Sequence, residues 1–107
     1  MLTPEQLQKN YENFSALLLR KTDPSKLEGL EKLLAHFEER LVFTPASSKQ
    51  SFFHAVTGGL IMHSLEVLQL AVKYAKIIDP TIPMEKIIFV SLMHELGKVG
   101  DLTDDLY

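Results

Sequence analysis

Apolar residues recur every three to four positions over most of the chain, and short stretches rich in proline, glycine or serine interrupt the recurrence. Leu7, Tyr11, Phe14 and Leu18 follow one another at spacings of four, three and four, which puts them on one helical face. Ahead of them, Thr3-Pro4-Glu5-Gln6 is a start signal: Thr caps, Pro suits the first helical position and Gln6 completes a capping box. A first helix is predicted over about 4–21. Asp23-Pro24 repeats the signal, and Leu27, Leu30, Leu34, Phe37 and Leu41 predict a second amphipathic helix ending near Leu41.

The stretch "TPASSKQS" at 44–51 has a loop composition, and Gly58-Gly59 breaks the chain again. From Leu60 to Ile78 there is neither Gly nor Pro. Leu60, Val67, Leu70, Ala71 and Tyr74 predict a helical face there, with His63 on the same stripe. After the connector "DPTIP" at 79–83, a fourth helix is predicted from Pro83 or Met84 to about Leu96. Ile87, Val90 and His94 share one of its faces, and Gly97 and Gly100 end it. The closing "DLTDDLY" carries no element signal. No useful length alternates apolar and polar residues as a half-buried strand would, and no internal repeat is visible. The expected fold class is all-α, a bundle of about four to five helices. It forms one domain, 1–107, with a helical hairpin (1–41) and a second half (52–101) that carries the polar cluster.

Composition limits what such a bundle does. At 107 residues and 12.1 kDa, with 46% hydrophobic and 23% charged residues, the chain supports one core and so one site. The 11 Lys+Arg and 14 Asp+Glu give a net charge of −3 with neither sign in a block, so bulk nucleic acid is not an expected partner. The absence of cysteine excludes disulfides, thiolate zinc sites and cysteine nucleophiles. The N-terminus has no basic and apolar leader, and "IIFVSLM" at 87–93 is too short to span a bilayer. A soluble cytoplasmic protein without a membrane partner is expected.

A histidine on the core face of a helix must have its ring nitrogens satisfied, because an unpaired buried polar group costs about 1–3 kcal/mol. Singly, His63 or His94 reads as a hydrogen-bonded core residue. Two of them, on successive helices that pack about 8–10 Å apart and with Glu95 directly after the second, predict half of a metal cage.

"GGLIMHSLEVL", then an apolar helix ending in "LMHELGKVGD", resembles the HD superfamily of metal-dependent phosphohydrolases, named for its His-Asp doublet. "TPASSKQSFFHAVTGGLIMHSLEV" is similar to the segment that small phage and bacterial members carry before their first ligand. The resemblance covers roughly 42–101. It implies that His63 and His94 are metal ligands and that Glu95 stands where the family has its Asp. It further implies that Lys98 meets a substrate phosphate and takes part in catalysis with Glu95. His54 matches an additional histidine that binds phosphate or completes a metal site. The implied cofactor is a divalent ion (Mn, Fe, Ni, Co, Mg or Zn), for which imidazole and carboxylate are suitable ligands. The implied substrate is a nucleotide or another small phosphoester.

The chain departs from the pattern twice. Glu95 carries one more methylene than Asp, and only 12 residues follow it, where the family has a further metal-binding Asp on a later helix. Asp101, Asp104 and Asp105 are the carboxylates left to replace that ligand. The alternative function is therefore a truncated or inactive HD-like module that works in metal binding or protein interaction, with homo-oligomers as one way to complete a half-site. Other signals are weaker. "GKVGD" lacks the spacing of a phosphate-binding loop, His36 reads as a surface residue, and Ser64 and Ser91 have no adjacent base. Gly58-Gly59 reads equally as a helix break or as a point of close backbone approach.

Overall fold

The computed structural model describes residues 2–20, 24–47 and 55–100. Four helices, α1 (Pro4–Arg20), α2 (Pro24–Phe43), α3 (Gly59–Ile78) and α4 (Met84–Met93), are followed by a 3₁₀ turn, Leu96–Val99. The fold is all-α, and no strand occurs among the described residues. None of their helices is long and apolar enough to cross a membrane.

The predicted capping box forms: the Thr3 amide donates to Gln6 Oε1 at 2.8 Å, and the Gln6 amide donates to Thr3 Oγ1 at 3.2 Å. The stripes of α1 and α2 bury as their spacing requires, with Tyr11, Phe14 and Leu18 meeting Leu30, Leu34 and Leu41 in one core. α3 and α4 pack most extensively on each other, and both touch α1.

The faces of α3 and α4 differ from those predicted. Leu70 and Tyr74 are 52% and 53% exposed, and α3 instead buries Leu60, Ile61, Ser64 and Leu68. Val90 is 64% exposed, and α4 buries Ile88, Ser91 and Leu92. Both helices are apolar nearly all round, so periodicity offers several equivalent stripes and the neighbouring helices choose between them. His63 sits half-buried at the edge of the packed face, and His94 is exposed.

The α4 helix also stops early, at Met93 rather than near Leu96. His94 keeps helical angles, but Glu95 has left them at φ −114°, ψ 22°. The Ser91 carbonyl, one of the orphaned acceptors of the last turn, is taken by the His94 ring: Nδ1 lies 2.7 Å away.

Gly58 has φ 81°, and a Cβ there would lie 2.0 Å from Leu7 Cδ2. Its amide donates to the Phe43 carbonyl at 3.1 Å, and the Leu60 amide donates to the Thr44 carbonyl at 2.9 Å. Close approach is thus what the glycine provides, between the start of α3 and the hairpin of α1 and α2.

Candidate metal centre

His63, His94 and Glu95 come together where the second turn of α3 faces the exit from α4. Each offers a donor atom, and the three lie within 4.8 Å of one another. His63 Nε2 is 3.5 Å from Glu95 Oε2, and His94 Nε2 is 4.0 Å from Glu95 Oε1. The imidazole centroids are 5.8 Å apart with the rings tilted by 56°.

The early end of α4 makes this possible. Residues adjacent in a regular helix point about 100° apart, whereas the turn at Glu95 lets its carboxylate lie alongside the ring of His94. The hydrogen bond of the His94 ring then fixes its chemistry. A carbonyl only accepts, so Nδ1 carries the hydrogen and the lone pair of the neutral ring is on Nε2, the nitrogen toward Glu95. A ring N–H bound to a backbone carbonyl is the usual support of a ligating histidine.

Glu95 completes an electron-rich cluster. Its Oε2 is buried and accepts no hydrogen bond, an arrangement that costs free energy unless a cation or proton is shared there. Its Oε1 is 3.1 Å from the Lys98 ammonium, which also donates to the Ala46 carbonyl. The donor set fits a divalent ion: two imidazoles and one carboxylate suit Zn, Mn, Fe, Co or Ni. With bonds of about 2.1 Å, two ligand atoms on one ion lie at most about 4.2 Å apart, so small rotations of these partly exposed side chains close the cluster.

The other expected residues divide. Lys98 is at the cluster, through Glu95. His54, Asp101, Asp104 and Asp105 lie outside the described residues. His36 is exposed and stands edge-on to Phe37, with centroids 4.7 Å apart. Ser64 and Ser91 are buried packing residues.

Sequence reasoning overlooked Arg40. It is buried, and its Nε donates to the Val99 carbonyl at 2.7 Å. The signal was present, since Leu33, Phe37, Arg40 and Thr44 recur at four, three and four beside the leucine stripe of α2. No protein-family model, curated protein or solved structure matches this chain.

Proposed function

We propose that the chain is a metal-dependent phosphohydrolase of HD type, acting on a nucleotide or another small phosphoester. The observation that carries the proposal is the convergence of two imidazoles and a carboxylate, with Oε2 of Glu95 buried and accepting no hydrogen bond. His63, His94 and Glu95 would hold the ion, and the Ser91 carbonyl keeps His94 in the ligating tautomer. When bound, a divalent ion supplies Lewis acidity toward a phosphoryl oxygen and acidifies water. Lys98 adds a positive charge beside the cluster, suited to the anionic oxygens of a phosphoester.

The second reading is a non-catalytic helical module that keeps the cluster for metal binding or works through a protein partner. It draws support from the apolar side chains that α3 leaves exposed, Leu70, Tyr74, Ile77 and Ile78.

One experiment separates them. Protein loaded with Mn or Ni is titrated by calorimetry and assayed on p-nitrophenyl phosphate and a panel of nucleotides, beside His63→Ala and His94→Ala. Metal-dependent hydrolysis that both substitutions abolish is the expected result. Metal binding without hydrolysis favours the second reading, and an intact protein that binds neither metal overturns the metal centre.

A further inference from the structure

The turn that carries Glu95 and Lys98 is sunk into the core through Val99, with Leu96 packed beside it, but apolar contact of this kind is nondirectional and does not fix where its polar groups stand. The 3₁₀ turn is only four residues long; Gly97, its second residue, has open space where a Cβ would be, and Gly100, just after it, has φ 71°. Glycines at 97 and 100 make the stretch after Glu95 conformationally permissive, while metal ligands must stand within about 0.5 Å of their places. Directional bonds from outside the turn add the precision that this packing lacks.

The end of α2 is placed to do so. The Phe43 and Thr44 carbonyls accept from Gly58 and Leu60, which ties down the start of α3 one turn before His63. The Ala46 carbonyl accepts from Lys98, and Arg40 donates to the Val99 carbonyl. Thr44 Oγ1 donates back to the Arg40 carbonyl at 2.6 Å and braces the segment. Residues 40–46 thus span the two strips of chain that bring the donor atoms together. Arg40 is the charged side chain among these contacts that is sunk into the interior. Burying a guanidinium carries a desolvation cost that an apolar residue in the same space would not. Packing alone does not account for it.

We propose that Arg40 is a positioning residue of the metal centre: by holding the Val99 carbonyl it sets where Glu95 and Lys98 stand relative to His63. The inference rests on the metal reading of the cluster. It does not require that the protein hydrolyse anything.

The test measures Mn and Ni affinity by calorimetry at neutral pH for the parent, Arg40→Met, Arg40→Lys, His63→Ala and the core control Leu30→Ala. Backbone amide exchange over 95–100 is followed in the metal-free proteins. Arg40→Met is expected to keep its helical spectrum, to lose about 10- to 100-fold in metal affinity, and to exchange faster at 96–100. Arg40→Lys, a donor without the planar fork, falls between it and the parent. Leu30→Ala lowers the melting temperature but stays within about threefold of the parent's affinity, as a site remote from the turn should.

The proposal is overturned if Arg40→Met binds as tightly as the parent while His63→Ala does not, or if Leu30→Ala weakens binding equally. Should Arg40→Met not fold, Arg40→Lys decides, and an affinity and exchange profile equal to the parent's overturn the proposal. A parent that binds neither metal removes the metal reading itself, a result distinct from all of these.

Discussion

The two ends of the hairpin formed by α3 and α4 are built on different principles. Where α3 begins and α4 ends, the chain is held by directional polar bonds: Gly58 and Leu60 to the end of α2, Arg40 to Val99, Lys98 to Ala46 and to Glu95, His94 to Ser91. Where α3 ends and α4 begins, apolar side chains face outward, with Ile77 and Ile78 exposed by 73% and 79%. The connector there is braced locally, by Asp79 accepting from the amide and hydroxyl of Thr81. Apolar contact is nondirectional and tolerates small shifts, whereas a hydrogen bond fixes a distance and an angle. The polar bonds are concentrated at the end where His63, His94 and Glu95 come together.

The largest expected effect is at the cluster. His94→Ala should weaken metal binding by more than the roughly 100-fold that losing a ligand's supporting partner can cost. Ile78→Ala at the far end should leave it unchanged, with calorimetry on both variants as the check. Equal losses would dissolve the contrast between the two ends.

Gly58→Ala comes next. The left-handed backbone and the approach of Leu7 should together destabilise the fold by about 1–3 kcal/mol, read as a lower urea midpoint with the slope retained.

At the far end, the pair Ile77→Lys and Ile78→Lys should change stability by no more than about 0.5 kcal/mol, because neither side chain is packed in the monomer. The same pair should reduce association of concentrated protein in light scattering, since it breaks an exposed apolar stripe. A large drop in melting temperature would mean that this face is covered after all.

The smallest effect belongs to Asp79, whose carboxyl the Thr81 side-chain and backbone hydrogen bonds hold below its ordinary value of 3.8. The folded carboxyl gives up its proton more readily than the unfolded one. Its contribution is therefore present above about pH 4 and is lost as pH falls through the depressed folded value. Melting curves taken from pH 5 downward should show the parent losing slightly more stability than Thr81→Ala, which lacks the hydroxyl donor.

Much of the fold was legible in the chain because local rules decide it. The Thr3–Gln6 capping box, the stripes of α1 and α2, and the break at Gly58 each follow from a few adjacent residues. The faces of α3 and α4 were not legible, because helices apolar nearly all round offer several stripes, and Val67, Leu70 and Tyr74 recur as regularly as Ile61, Ser64 and Leu68. At the site, the types and order of His63, His94 and Glu95 were enough to nominate them. Their geometry was not readable, since it depends on α4 ending at Met93.

The sequence by itself determined the all-α class and the breaks between helices, and nominated His63, His94 and Glu95 as a cluster, because caps, glycines and periodicity act within a turn or two of the chain. Only the tertiary structure decided which faces are buried, that Glu95 turns toward both imidazoles, and that Arg40 is anchored inside on Val99. Those outcomes depend on bonds between residues as far apart as Arg40 and Val99, and no local pattern encodes a distance across 59 positions.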